Sequence, residues 1–247
     1  MSTLETRTIE SLEIYISERA RLESYRFEQG ETSHDLFREI FLAEYARMDR
    51  GKLAAEFHSL FKLMDDGTYR TIREAYEGLE RSSGTLKIDI TGYVMDVDGL
   101  TEEHKARIML LEDMADHYGP AWIDRFPNLG AVTPENAHVS YWPGSTFALD
   151  VPADIDLRER EWYKLALANP GKTIYSSLIL DENLGEWAVS AARAVFDGPR
   201  HLFTIVNDIK ANELIRRVIE DPLAGTYNFL IRENGDLILH SLKTVEL

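Results

Sequence analysis

The sequence contains no cysteine among its 247 residues. Disulfide bridges, a thiol nucleophile and cysteine-ligated metal sites are therefore excluded. No apolar run approaches the roughly 18 residues that a membrane-spanning helix requires. The opening stretch, "MSTLETRTIESLEIY", also lacks the apolar core of a signal peptide. These residues thus contain no predicted span or leader.

Basic residues are scarce relative to acidic ones. Lys and Arg number 27 against 43 Asp and Glu, which gives a formal net charge of -16. Because a phosphate backbone is recognised by clustered Lys and Arg, this balance argues against nucleic acid as a partner. The composition, 44% hydrophobic and 28% charged, is that of one large or two small globular domains.

No catalytic pattern is present. The seven histidines are scattered without a HExxH motif, and Gly-x-Ser-x-Gly and glycine-rich phosphate loops are absent. We therefore expect no metal, no cofactor and no catalytic residue. Acidic neighbours such as Asp65 and Asp66 are explained by the abundance of acids. A small hydrolase built on carboxylates that cluster in one cleft remains an alternative.

The first 50 residues predict one long helix. Residues 3–49 hold no proline, and apolar residues recur at spacings of three and four, for example at Ile9, Leu12 and Ile16 and again from Phe37 to Met48. One small domain buries such a helix poorly, which favours a homodimer that pairs through it. The alternative is a helix that packs only along its own domain.

In the remaining chain, apolar residues recur with the helical period in some segments and with the strand period in others. Helices are predicted over 52–81, with a turn or capped start at 65–70, over 101–119, with Thr101 as the cap, over 156–168 and over 209–221. Strands are predicted on either side of Pro143-Gly144 and over 172–180, 186–197 and 201–208. Because tight turns join the last three strands, the sheet is antiparallel and the fold class is α+β.

The pattern begins again near the C-terminus, where "YNFLI" and "DLILHSL" flank a turn at Asn234-Gly235. We therefore divide the chain into a long helix (1–50), a ligand-sensing lobe (51–222) and the incomplete start of a second lobe (223–247).

A cluster of arginine and aromatic residues is the first candidate site. In "REREWYKLALANPGK", Arg160 offers a planar fork of donors that matches a carboxylate, and Trp162 and Tyr163 can wall a small ligand. On a helix, Arg160 and Tyr163 share a face. The alternative is a core tryptophan beside an arginine that pairs with a neighbouring acid.

Asp208 is the second candidate. It ends the predicted strand "TIVND" just before a predicted helix, where it could cap that helix or present its carboxylate to an ammonium group. An arginine for a carboxylate and an aspartate for an amine together suit an amino acid. Tyr141, Trp142 and Trp187 are further wall candidates from the flanking strands.

These residues resemble the double Cache (dCache) sensor domains of bacterial transmembrane receptors. The resemblance covers residues 1–247 and is strongest over 138–242, through "YWPG", "REREWYKLALANPGK", "GEWAVSAARAVFD", "VNDI" and "GTYNFLIRENGDLILHS". "ALDVPADIDL" is most similar to members in histidine kinases and diguanylate-cyclase (GGDEF) receptors. The resemblance implies two stacked PAS-like lobes on a long helix, with the second lobe truncated here.

The resemblance also implies a function. Such domains lie on the periplasmic side of the inner membrane, often dimerise through the long helix, and bind a ligand in the membrane-distal lobe. Amino-acid-binding members are similar at Arg160, Trp162, Tyr163 and Asp208, but carry a tyrosine where this chain has Ile155. An amino acid, a small carboxylate or an amine are thus the expected ligands.

We therefore expect a non-catalytic sensor of a two-component or related receptor, with transmembrane helices outside this chain and a kinase or cyclase output. The alternative is an interaction module that senses a periplasmic protein and binds no small ligand.

Overall fold

The computed structural model describes residues 3–80, 84, 86–181, 185–211, 229–231 and 237–240. The helices are α1 (Thr3–Arg47), α2 (Arg50–Leu60), α3 (Glu74–Glu77), α4 (Glu102–Trp122), α5 (Phe147–Asp150) and α6 (Glu161–Ala168), with a 3-10 turn at Leu157–Glu159. The strands are β1 (Phe61–Leu63), β2 (Tyr69–Thr71), β3 (Leu79–Glu80), β4 (Leu86–Lys87), β5 (Ile90–Val94), β6 (Leu129–Val132), β7 (Ala137–Tyr141), β8 (Ile174–Tyr175), β9 (Ile179–Asp181), β10 (Glu186–Asp197), β11 (Arg200–Lys210), β12 (Phe229–Ile231) and β13 (Leu237–His240).

One sheet organises the described chain. Its strand order is β1-β2-β5-β7-β6-β11-β10-β8, with β9 also paired to β10. Every one of these pairings is antiparallel. The β10–β11 hairpin is the longest pairing, running from Ala188↔Lys210 to Asp197↔Arg200. The predicted α+β class, a long N-terminal helix followed by an antiparallel sheet, is confirmed.

The long helix α1 joins the domain through its C-terminal half. Gly30, His34, Phe37, Phe41 and Tyr45 are buried at spacings of three and four, which is one stripe of a helix. Phe41 packs edge-on against Phe203 of β11, with ring centroids 4.5 Å apart. This stripe fixes α1 on one face of the sheet, beside α4.

Helices cover both faces of the sheet. α1 and α4 pack on one face, where Phe37, Leu111 and Val139 belong to one apolar core. α5 and α6 pack on the other face, where Tyr93 and Trp162 belong to a second, smaller core. Successive residues of a strand point to opposite faces, so each central strand feeds both cores.

The helix predicted over 52–81 is formed only up to Leu60 and in the short α3, and the turn predicted at 65–70 is present. The chain instead forms the β1–β2 hairpin, with Phe61 opposite Thr71. The turn follows from its residues: the Asp66 carboxylate accepts hydrogen bonds from the amide and hydroxyl of Thr68, at 3.0 and 2.7 Å. Gly67 supplies the left-handed conformation, at φ +83°. Local turn chemistry thus outweighs helical spacing here.

Two other predictions change. The stretch after Pro143-Gly144 forms the short helix α5 rather than a strand. Asp208 lies inside β11 and does not cap a helix, because the strand continues to Lys210. The helix predicted over 209–221 lies almost wholly outside the described residues.

The predicted C-terminal hairpin is formed by β12 and β13, which pair Phe229 with His240. The three predicted domain boundaries remain predictions. Within the described ranges, no helix is both long and apolar enough to cross a bilayer.

Gly119 marks the closest approach of α4 to the sheet. A Cβ at this position would overlap Cβ, Cγ and Cδ1 of Tyr141 on β7. These atoms lie at the root of a buried side chain, so they cannot swing away. The glycine therefore sets the helix-to-sheet distance, and it directs Tyr141 toward α4.

We expect Gly119→Ala to destabilise the protein. Overpacking a closed core costs about 1–3 kcal/mol, which outweighs the gain of up to about 1 kcal/mol for alanine over glycine in a helix. Urea unfolding measures the change. Gly51→Ala in α2 is the matched control, because its Cβ would meet only carboxylate oxygens, that of Glu102 at 3.2 Å and that of Asp49 at 3.6 Å. Equal stability of the two variants would contradict the packing account.

Candidate functional site

A cavity of about 630 Å³ lies between the sheet and the α5–α6 layer. Its floor comes from adjacent strands of the sheet and its roof from the segment 147–162. Its walls include Ile179 and Leu180 of β9. Apart from Val206, the floor residues on these strands are polar or small: Asn128, Gly130, His138, Ser140, Ser190 and Asp208. The roof is mostly apolar: Phe147, Val151, Pro152, Ile155, Leu157 and Trp162.

Hydrogen bonds from Ser190 and with Asn128 hold Asp208 at the floor. Its Oδ1 accepts from the Ser190 hydroxyl at 2.7 Å, across the β10–β11 pair. Its Oδ2 accepts from the Asn128 Nδ2 at 2.5 Å. Its backbone N–H donates to the Asn128 Oδ1 at 2.8 Å. Neutral donors therefore fix the carboxylate in a wall where it is 7% exposed.

Asn128 also contacts Asn207, the residue that precedes Asp208 on β11. Its backbone carbonyl accepts from the Asn207 Nδ2 at 2.5 Å. Since Asn207 and Asp208 are neighbours in a strand, their side chains lie on opposite faces of the sheet. Asn128 thus forms hydrogen bonds with Asp208 on the cavity side of the sheet and with Asn207 on the α1 side.

Asn207 continues this network to α1. Its Oδ1 lies 3.0 Å from Nε2 of His34, whose Nδ1 lies 3.2 Å from the Thr173 hydroxyl. Because the amide oxygen can only accept, Nε2 must carry the proton and Nδ1 must accept from Thr173. Burial, together with the charge of Arg193, lowers the pKa of His34 to about 4. The imidazole is therefore neutral at pH 7, as this tautomer requires.

A second anchor ties α1 to the same strands. Arg193 on β10 forms an ion pair of 2.8 Å with Asp35, the residue after His34. The Tyr175 hydroxyl also donates to the carbonyl of Phe27 at 2.8 Å. The α1 segment nearest the cavity is thus fixed by polar contacts in addition to its apolar stripe.

The roof is tied down by two arginines. Arg70 donates to the carbonyl oxygens of Ala148, Leu149 and Val151, at 2.7–3.1 Å. Arg158 pairs with Asp156 and with Asp96, each at 2.7 Å. These carboxylates raise the pKa of Arg158. Arg158 is therefore a structural residue of the roof.

Arg160 behaves differently from Arg158, although the two are only two residues apart. Its side chain is exposed and lines the cavity. In the part of the chain that the structure describes, its guanidinium has no ion-pair partner. The predicted pairing of Arg160 with a neighbouring acid is thus not formed there. The guanidinium is available at the rim of the cavity.

The expected convergence of Arg160 and Tyr163 on one helix face is wrong. Arg160 precedes α6 in an extended conformation, φ -65° and ψ 144°, so helical spacing does not apply to it. Trp162 lines the cavity. Tyr163 is buried away from it, 5.8 Å from the His201 ring, and burial raises its pKa to about 12.

Strand alternation separates the other wall candidates. Trp142 lines the cavity, whereas its neighbour Tyr141 packs on the opposite side against α4. Trp187 shares its strand face with Arg193, which contacts α1, and does not line the cavity. Of the seven predicted residues, the cavity gathers Arg160, Trp162, Asp208 and Trp142. Their roles as ligand contacts remain predictions.

Sequence reasoning missed the polar floor: Asn128, Gly130, His138, Ser140 and Ser190. One available signal was the alternation in "HVSYW", which places His138, Ser140 and Trp142 on one face. No comparable signal marks Asn128, because its partners lie about 80 residues away. Within the described residues, no group of three His, Asp or Glu side chains could hold a metal ion.

No known family model matches the chain. One stretch of 94 residues is 33% identical to the methyl-accepting chemotaxis protein TlpA of Bacillus subtilis. That match covers 37% of this chain and 14% of that protein, so most of the relative lies outside the comparison.

Solved structures give partial likenesses. The ligand-binding domain of Pseudomonas fluorescens chemoreceptor CtaA with L-serine has a TM-score of 0.43 at 17% identity, over 53% of this chain and 54% of that one. The domain of Pseudomonas aeruginosa PctB with L-Arg has 0.42 at 20%, over 54% and 61%. The domain of Campylobacter jejuni Tlp3 with L-norvaline has 0.40 at 15%, over 59% and 57%.

The buried neutral His34 predicts a pH dependence of stability. A base whose pKa is lower in the folded state stabilises the fold above its unfolded pKa, here 6.5. That contribution is lost as the pH falls from 6.5 toward 4. A shift of this size corresponds to about 3 kcal/mol.

We expect His34→Gln to flatten the fall in unfolding free energy between pH 6.5 and 4, because the amide keeps a donor and an acceptor but does not titrate. Urea unfolding at several pH values measures it. His117→Gln, on the exposed side of α4, should leave the curve unchanged. The wild-type slope in His34→Gln would refute the assignment.

Proposed function

We propose that the chain is the extracytoplasmic ligand-sensing part of a bacterial membrane signalling receptor, and that its cavity binds a small molecule. The observation that carries this proposal is the pairing of opposite charges around one cavity. Asp208 lies fixed at the floor, and the Arg160 guanidinium lies at the rim without an ion-pair partner among the described residues.

The cavity has the general chemistry of a small-molecule site. Its volume of about 630 Å³ falls within the range of roughly 300–1,000 Å³ for such sites, which are mostly apolar with a few aimed polar groups. Trp142 and Trp162, each 9% exposed, supply rigid aromatic walls. A ligand with an anionic group would bind Arg160, and one with a cationic group would bind Asp208. An amino acid, a small carboxylate or an amine fits this chemistry.

The cavity holds its floor carboxylate in a fixed position before a ligand binds. Arginine keeps its charge at all physiological pH values. The Asp208 carboxylate accepts hydrogen bonds from Ser190 and Asn128, which fix its orientation at the floor. A ligand thus meets groups whose geometry is already fixed, which reduces the ordering cost of binding.

The hydrogen-bonded chain behind Asp208 offers a route to α1. We include in the proposal that occupancy of the cavity reaches the helix through Asn128, Asn207 and His34. A ligand can shift an equilibrium only if it binds two arrangements with different affinity. Asn128 bonds to both faces of the sheet, so a change at Asp208 that moves it also moves the contact with His34.

The receptor context is proposed from the sequence relative. A chemotaxis receptor is the class that the name of TlpA suggests, whereas the sequence resemblance favours a histidine kinase or a diguanylate cyclase. In either case the output would belong to a cytoplasmic segment beyond this chain, and the sensing lobe would face the periplasm. We retain the double Cache architecture within this proposal.

The N-terminal half of α1 supports a homodimer. Ile14, Leu22 and Tyr25 lie on one side of it and are between 58% and 66% exposed. A second copy of the helix would bury such residues. A periplasmic protein could also cover them, which is the alternative function of this chain as an interaction module.

Three probes of similar size test the charge pairing: L-alanine, propionate and propylamine. A ligand that binds only the folded state raises its stability, by about 2.7 kcal/mol at a hundredfold excess over the dissociation constant. We expect Arg160→Ala to abolish the thermal shift caused by propionate, and Asp208→Asn that caused by propylamine. Both variants should weaken the binding of L-alanine and so reduce the thermal shift that it causes.

Arg125→Ala and Asp124→Asn, which remove exposed charges outside the cavity, are the matched controls and should bind as the wild type does. A wider panel of amino acids, carboxylates and amines extends the screen. Absence of any shift in the folded wild type across that panel would sink the small-ligand proposal and favour the protein partner.

A further inference from the structure

His138 is a second polar group of the cavity, separate from the charged pair. It lies on β7, lines the cavity and is only 5% exposed. Neither of its ring nitrogens has a hydrogen-bond partner among the described residues, and its Nδ1 is fully enclosed. Buried polar groups are almost always hydrogen-bonded, so an exception in a cavity wall calls for an explanation.

The rings that pack against His138 carry no charge. Its ring neighbours are Tyr93 on β5, with centroids 5.3 Å apart, and Phe147 on α5, at 5.8 Å. Across the sheet it pairs with Val132 on β6. Tyr93 is the one titratable group in ring contact with it, and burial raises the pKa of that hydroxyl. Burial alone lowers the pKa of His138 to about 4, so the imidazole is neutral at pH 7.

The glycine at position 130 keeps the imidazole open to the cavity. A Cβ at Gly130 would lie 3.3 Å from Nε2 of His138 and 3.1 Å from Cγ1 of Val206. Nε2 therefore lies next to the space that the side chain of a larger residue at position 130 would fill. Gly130, Val206 and His138 all line the cavity. The nitrogen is thus directed toward the middle of the floor.

The register of the sheet relates this nitrogen to Asp208. Gly130 pairs with Ser140 on one side and with Val206 on the other. Asp208 lies two residues beyond Val206 on β11, which is a step of roughly 6.6 Å along a strand. A ligand whose ammonium group is bound at Asp208 would therefore extend its tail over Gly130 toward Nε2.

We propose that His138 is a specificity-determining residue of the cavity, which selects ligands whose tail ends in an uncharged hydrogen-bonding group. This inference rests on the proposed small-molecule function and deepens it. A neutral imidazole can give or accept one hydrogen bond, but offers no charge to a carboxylate or an ammonium group. A ligand tail that ends in an amide or a hydroxyl satisfies the imidazole, whereas an apolar tail leaves a buried polar group unpaired.

Two pairs of probes test the selection at pH 7. L-asparagine and L-leucine have similar shapes and differ at the end of the side chain. L-glutamine and L-methionine form a longer pair. Isothermal titration gives the four dissociation constants. In at least one pair, we expect the wild type to bind the amide-containing amino acid at least tenfold more tightly than its apolar counterpart.

Two variants separate a ligand contact from a structural role. His138→Leu keeps an apolar side chain of similar size and should lower the preferred ratio below about threefold, with little change for L-leucine. His138→Gln places an amide near the position of Nε2 and should restore the preference. Gly130→Ala should also reduce it, because the methyl group covers Nε2.

The outcomes are distinguishable. An unchanged ratio in a folded His138→Leu, or no amide preference in the wild type, would overturn the role of His138 while leaving the small-molecule function intact. Failure of these four probes and L-alanine to bind the wild type, while propionate or propylamine binds, would overturn the role of His138 alone. Failure of every amino acid, carboxylate and amine tested would overturn both proposals. If His138→Leu does not fold, Gly130→Ala and His138→Gln still test the role of His138. If His138 were only structural, Gly130→Ala would leave the ratio of dissociation constants unchanged.

Discussion

The side chain and carbonyl of Asn128 form the contact on which the candidate site depends. Its amide holds the Asp208 carboxylate and backbone on the cavity face, and its carbonyl holds Asn207 on the opposite face. Asn207 in turn contacts His34 on α1. One residue immediately before β6 therefore positions both the cavity floor and the anchor of the long helix. These bonds are buried, where an unpaired polar group is costly, so the parts of this network are expected to move together.

The other half of the site is a roof whose shape is set by charge. Arg70 and Arg158 donate hydrogen bonds to carbonyl and carboxylate oxygens of the segment 148–158. Arg160 follows this segment immediately and keeps its guanidinium at the rim. The floor contributes the Asp208 carboxylate and neutral donors. The roof contributes the Arg160 guanidinium and apolar walls, together with the Glu161 carboxylate, which accepts hydrogen bonds from Ser177. This division suits a ligand that carries charge at one end and a tail at the other.

Elements with strong local signals could be predicted, whereas side-chain direction could not. The helix α1, the Thr101 cap and the β10–β11 hairpin follow from spacing, capping and turn residues. The helix after Leu60 was wrong because Asp66 and Gly67 form a turn that favours a hairpin. Tyr141 and Trp187 were chosen for their aromatic character, although strand alternation directs them toward the α1–α4 face. The role of Asn128 depends on contacts between distant segments, for which a single sequence holds no signal.

Hydrogen exchange in α1 tests most directly whether the cavity and the long helix are coupled. Exchange of the amides in residues 27–47 would be measured with and without saturating L-alanine, in the wild type and in Asn207→Ala. The account predicts that L-alanine changes exchange in this segment of the wild type, and that the change is lost in Asn207→Ala although the probe still binds. Altered exchange in the cavity strands with α1 unaffected in the wild type would contradict it.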